Sequence, residues 1–140
     1  MMFNLIDKHF NELMKSPKFQ ALDGIWLSIS RLGNDLEFYE IVDNNFDLKK
    51  TIFFYILEKL MKNGDLLLAK SENDEILYDM PISEQLEWFK LSFPQSERHA
   101  EELGVVDVGT WLVVYDKDFC PLRPVWVYTL KNGEKHLEWA

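Results

Sequence analysis

Residues 125–139 read VWVYTLKNGEKHLEW, and this stretch decides the fold class. Val125 to Leu130 is a run of strand formers, and Glu134 to Trp139 is a second strand. Asn132-Gly133 lies between them and is the strongest short hairpin signal in the chain. Just upstream, Trp111 to Tyr115 reads as a further strand, followed by a turn at Asp116-Lys117-Asp118. Pro121 and Pro124 bracket the connection and suit loop or edge positions. The tail is therefore expected to be antiparallel β.

Towards the N-terminus the period changes to helical. Phe3, Ile6, Phe10, Leu13 and Met14 predict a first amphipathic helix over 3–15. Ser16-Pro17 reads as a cap followed by proline at the first helical position. A second helix is expected over 17–32, through Phe19, Leu22, Trp26, Leu27 and Ile29, with Gly24 weakening its middle. Residues 34–46 are read as a loop with a short edge strand. The clearest helix opens at Asp47. It carries Leu48, Ile52, Phe53, Ile56, Leu57, Leu60 and Met61 as a broad apolar stripe and stops at Asn63-Gly64. Leu66 to Ala69 predicts a short strand, with Ile76-Leu77-Tyr78 returning beside it after a polar turn. Ser83 and Ser96 are read as caps of two further helices, the first ending before Pro94 and the second at Gly104.

Helices first and a sheet last make an α+β protein. N-terminal helices are expected to pack on a small C-terminal antiparallel sheet, with residues 1–140 forming a single domain. Surface scaling is consistent with that. A chain of this mass buries about two-thirds of its unfolded surface, enough for one core.

The chain carries 24 acidic residues against 15 Lys plus Arg, a formal charge of -9, and it is 47% hydrophobic. The apolar content excludes a disordered acidic tail. The charge argues against nucleic acid, whose affinity comes from cations on phosphates, and against an anionic membrane surface. No apolar run approaches the roughly 20 residues that span a bilayer. The N-terminal stretch lacks a basic region followed by a cleavage site, so no secretory signal is read. Cys120 is the single cysteine, which fits a reducing cytoplasm.

Catalytic signatures are absent from the sequence. The glycines are scattered singly, so there is no phosphate loop, and there is no zinc-binding cysteine pair. His9/Glu12 and His99/Glu102 each share a helix face. Carboxylate-bridged metal sites use the opposite order, glutamate before histidine, so surface pairing is the plainer reading. No metal, no cofactor and no catalytic residue is expected. Of the tryptophans, Trp26 and Trp111 read as core, and one of Trp126 and Trp139 is expected to face outward. Trp88 lies off the Leu86/Phe89/Phe93 face beside Glu87, where the ring either packs on the core or anchors a protein interface.

One further pattern spans residues 50–128. It comprises the helix Phe53 to Leu60, then Gly64 and the strand Leu66 to Lys70. Ser83-Glu84-Gln85-Leu86-Glu87-Trp88-Phe89 follows, running into Phe93-Pro94, then Gly109-Thr110-Trp111, Cys120-Pro121 and Val125-Trp126-Val127. The pattern resembles a family of small acidic bacterial proteins found near polymorphic-toxin and contact-dependent growth-inhibition loci. The resemblance implies an immunity protein, a non-enzyme that binds a cognate toxin domain in the cytoplasm. The acidic balance is compatible, because many such toxins carry basic nuclease clefts and opposite fields speed association. The expected partner-binding residues are Asp35, Glu37, Glu40, Glu72, Asp74 and Glu75, with Trp88 as anchor. Two rival readings stand beside it. One is a small hydrolase or metal-dependent enzyme using the His/Glu pairs. The other is a homodimeric adaptor built on the aromatic edge of the β tail.

Overall fold

The computed structural model describes residues 2–14, 20–31 and 45–140. The elements run α1 (Met2–Met14), α2 (Asp23–Arg31), α3 (Phe46–Lys62), β1 (Leu66–Lys70), α4 (Ile82–Ser92), α5 (Glu97–Glu102), α6 (Val108–Trp111), β2 (Leu122–Thr129) and β3 (Lys135–Trp139). The three strands form one antiparallel sheet in the order β1-β2-β3. The fold is α+β, as expected, with one strand drawn from the middle of the chain.

α3 is the central helix. Asn45 caps it, its Oδ1 accepting from Leu48 N–H at 3.0 Å, and Asp47 sits in the positive first turn. At the other end Gly64 takes φ 79°. Its N–H donates to Met61 O, and Asp65 N–H reaches back to Leu60 O. That double closure is a left-handed helix stop, and it aims the chain directly into β1. Ile52, Phe53, Phe54, Ile56, Leu57, Leu60 and Met61 are buried, a stripe wide enough to be covered from more than one side.

Around α3 lies an aromatic cluster. Phe53 packs its ring 5.7 Å from Trp26, 5.5 Å from Phe93 and 6.3 Å from Phe89. Trp111 closes it, 5.3 Å from Phe93. The contacts draw α2, α3, α4 and α6 together, and tilted or edge-on rings are the favoured geometry. The sheet joins the same buried cluster through Leu66, Leu68, Leu122 and Trp126. Trp126 is fully buried and donates its indole N–H to Gln20 O at 2.7 Å, whereas Trp139 is 40% exposed.

Several local expectations are corrected. The strand read over Trp111 to Tyr115 does not form. Asp107 accepts from Thr110 N–H at 2.7 Å and starts a helical turn that ends at Trp111, and Tyr115 makes only an isolated bridge to Cys120. A good cap here outweighs the strand propensity of the apolar run. Helix α2 starts at Asp23, and the described residues 20–22 before it are not helical. Gly24 therefore falls in its first turn, not its middle. α4 starts at Ile82 from a Pro81 cap, without a side-chain bond from Ser83. Pro124 lies inside the central strand, opposite Leu68. Its carbonyl accepts from Ala140 N–H at 3.5 Å, so its nitrogen faces the β3 side just where that pairing ends. No ladder bond is lost there. The expected cap at Ser16-Pro17 and most of the 34–46 loop lie outside the described residues.

The hairpin forms as read. Gly133 takes φ 86° and donates to Leu130 O at 2.9 Å, while Asn132 Oδ1 accepts from Glu134 N–H. This is a three-residue loop with glycine at the left-handed position.

Candidate partner-binding surface

Helix α4 divides its residues cleanly between two faces. Gln85, Leu86 and Phe89 are buried. Glu84, Glu87 and Leu91 are exposed and Trp88 is half-buried against the core. Positions 84, 87, 88 and 91 fall on one side at three- and four-residue spacing. That side presents an indole and a leucine 79% exposed, with two carboxylates beside them. The half-buried ring matters, because a Trp seated against the core is rigid before any partner arrives.

The helix is fixed by a buried amide. Gln85 Nε2 donates to Leu77 O at 3.0 Å and to Met80 O at 2.7 Å. Leu77 in turn donates its N–H to Leu68 O, and Ile76 bridges Ala69. Residues 75–77 thus lie along the edge of β1 away from β2, and Gln85 ties the start of α4 to Leu77 and Met80. Tyr78 follows this segment and is 65% exposed.

The turn after β1 carries three of the expected acids. Glu72, Asp74 and Glu75 are all exposed. Asp74 takes φ 58°, which Asp tolerates better than most residues. Its carboxylate accepts from Arg123 at 3.3 Å, and Glu75 lies 3.7 Å from Lys70 Nζ. Two of these charges therefore already have a cation, while the described ion pairs do not include Glu72. Arg123 is held between the rings of Tyr115 and Trp139, 4.8 and 5.2 Å away, and donates to Ala140 O at 2.8 Å. Asp35, Glu37 and Glu40 lie outside the described residues.

The other candidates for chemistry are placed as follows. His99 Nδ1 accepts from Gln95 N–H at 2.9 Å, and Glu102 pairs with Arg98 at 3.6 Å, so each has a structural partner other than its helix neighbour. The side chains of His9 and Glu12 lie outside the described residues. Among the described residues no three metal-binding side chains come together. Cys120 is fully buried and donates its thiol to Leu122 O at 3.2 Å. Burial pushes that thiol up to about 12, against an ordinary 9.0. A nucleophilic cysteine needs the opposite shift. Among the described residues no helix is long and apolar enough to cross a membrane.

Sequence reasoning singled out Trp88 but not Leu91 or Glu84 on the same face. The signal was present, as Glu84-x-x-Glu87-Trp88-x-x-Leu91 repeats at helical spacing opposite Gln85, Leu86 and Phe89.

These features define an α+β protein that presents an aromatic and acidic helix face. The chain belongs to the family described as "Protein of unknown function, DUF596", whose model matches residues 61–140. The match takes in the whole sheet and α4. Among solved structures the chain is similar to an uncharacterised protein conserved in bacteria, from Neisseria meningitidis. The two are 20% identical with a TM-score of 0.60, over 96% of this chain and 92% of that one, which shows a shared fold. No curated protein matches the sequence.

Proposed function

We propose that this protein is a cytoplasmic immunity protein that binds and neutralises a cognate toxin domain with a basic surface. The observation that carries the reading is the outer face of α4. It offers a pre-seated Trp88, an exposed Leu91 and the carboxylates of Glu84 and Glu87 on one rigid helix. Aromatic anchors surrounded by charge are what a specific protein interface uses, and the overall -9 charge favours a basic partner. The exposed Glu72 of the 72–75 turn adds negative charge, Asp74 and Glu75 being paired with Arg123 and Lys70, and Asp35, Glu37 and Glu40 add to the net charge of the chain. The resemblance to proteins found near contact-dependent growth-inhibition loci supports the same role.

The test is co-expression with the product of the reading frame immediately upstream. That product should arrest growth alone, and this protein should restore it. A W88A/L91D variant should fail to rescue while remaining folded. A harmless upstream product, or rescue undiminished by that variant, would overturn the proposal.

A further inference from the structure

The surface of α3 that the aromatic core leaves uncovered forms a groove with α4, of about 500 Å³. That volume lies in the range of small-ligand sites. Phe54 lines it, and Lys50 and Lys90 reach it from the two helices. Lys90 Nζ sits 5.5 Å from the Phe54 ring and Lys50 Nζ 5.3 Å from the adjoining Phe93 ring.

The chain has nine more acids than cations, and three other lysines of the helices and of β1 are ion-paired: Lys59 with Asp7 at 2.8 Å, Lys62 with Glu58 at 2.6 Å, Lys70 with Glu75 at 3.7 Å. Among the described residues neither Lys50 nor Lys90 has an ion-pair partner. Glu58 and Asp47 also line the groove; Glu58 is taken by Lys62, and Asp47 acts on Lys50 from the start of α3 without an ion-pair contact. The groove therefore brings two ammonium groups without ion-pair contacts beside aromatic surface. We propose that it is a binding site for a small organic dianion, whose acidic oxygens sit between Lys50 and Lys90 and whose apolar body lies along Phe54.

The electrostatics of the free protein agree. Partial burial lowers the Lys50 pKa, Asp47 raises it, and the neighbouring Lys90 lowers it again. A bound dianion relieves both unfavourable influences at once. The site lies on α3 and at Lys90 of α4 and uses none of Glu84, Glu87, Trp88 and Leu91, so its test is separate from that of the toxin-binding reading.

Phenyl phosphate is the probe, followed by NMR on the full chain, with inorganic phosphate and phenol as comparisons. Saturable shifts should appear at the groove residues with phenyl phosphate. Inorganic phosphate should bind more weakly and phenol not at all. Lys50→Gln and Lys90→Gln should each weaken phenyl phosphate about tenfold, the loss of one charge-assisted contact. Lys90 is exposed and its substitution leaves the core untouched, so it decides the matter if Lys50→Gln fails to fold. The proposal is overturned if phenyl phosphate gives no saturable shift, if Lys90→Gln binds it as the wild type does, or if phenol binds equally well.

Discussion

Cys120 and Tyr115 lie side by side under Arg123, and both resist ionisation. Burial pushes Tyr115 up to about 12, the nearby thiol adds to this, and Arg123 opposes it. For both groups the folded value exceeds the unfolded one. Their contribution to stability is therefore complete below the unfolded values, near 9.0 for the thiol and 10.0 for the phenol, and is lost as pH rises towards 12. Denaturation midpoints should fall across that alkaline window, and Cys120→Ala should flatten the first part of the fall. A thiol reagent at pH 8 should label Cys120 only after unfolding. Rapid native labelling would contradict the burial described. Asp7 behaves in the opposite sense. Hydrogen bonds from Lys59 and Tyr55 hold its carboxyl below the usual range, so its contribution is present above the unfolded value and fades as pH falls through the folded one. At this scale the sequence was partly legible. Trp26 and Trp111 read as core because their neighbours are apolar. The Arg123 cluster did not, because it joins Asp74, Tyr115 and Trp139 from three separate segments.

At the scale of elements, most local signals worked where the chain contacts itself within a few residues. Asn63-Gly64, Ser96 and the Asn132-Gly133 turn act through bonds two to five residues apart. Ser83 does not cap α4, and at Asp107 and Trp111 a local bond prevailed over a hydrophobic run. Removing that cap by Asp107→Ala should cost about 1 kcal/mol in a denaturant titration. Gly64→Ala should cost a similar ~1 kcal/mol, since a methyl group meets no atom there but is strained at φ 79°. Gln85 is the element-scale test of how α4 is seated. Gln85→Leu removes the side-chain donor to Leu77 O and Met80 O, leaving Leu77 O only the long bond from Met80 N–H, and should destabilise by about 1–3 kcal/mol. Hydrogen exchange should quicken in α4 more than in α3. The outer strand β3 carries the exposed Lys135 and Glu138, charges that discourage strand addition and make a dimer through this edge the weaker reading.

For the whole molecule, the -9 balance and the aromatic core divide the labour. The cluster around Phe53 holds four helices together, and Phe53→Ala should cost about 3–5 kcal/mol with loss of cooperative melting. Among the described residues no carboxylate is buried. The fold class was readable because hydrophobic period changes from helical to alternating along the chain. The candidate face of α4 was half readable, since Trp88 stood out but its neighbours gained meaning only once Gln85, Leu86 and Phe89 were seen to be buried. The Lys50–Lys90 groove was hidden because its cations come from helices 40 positions apart in the chain. The most direct measurement of the proposed role is the binding of the purified chain to the protein encoded immediately upstream, at low and at high salt. A saturable one-to-one complex is expected, with association slowed by salt and by Glu84→Lys/Glu87→Lys, and with affinity lost in W88A/L91D. Absence of a complex, or one indifferent to all of these changes, would contradict the account.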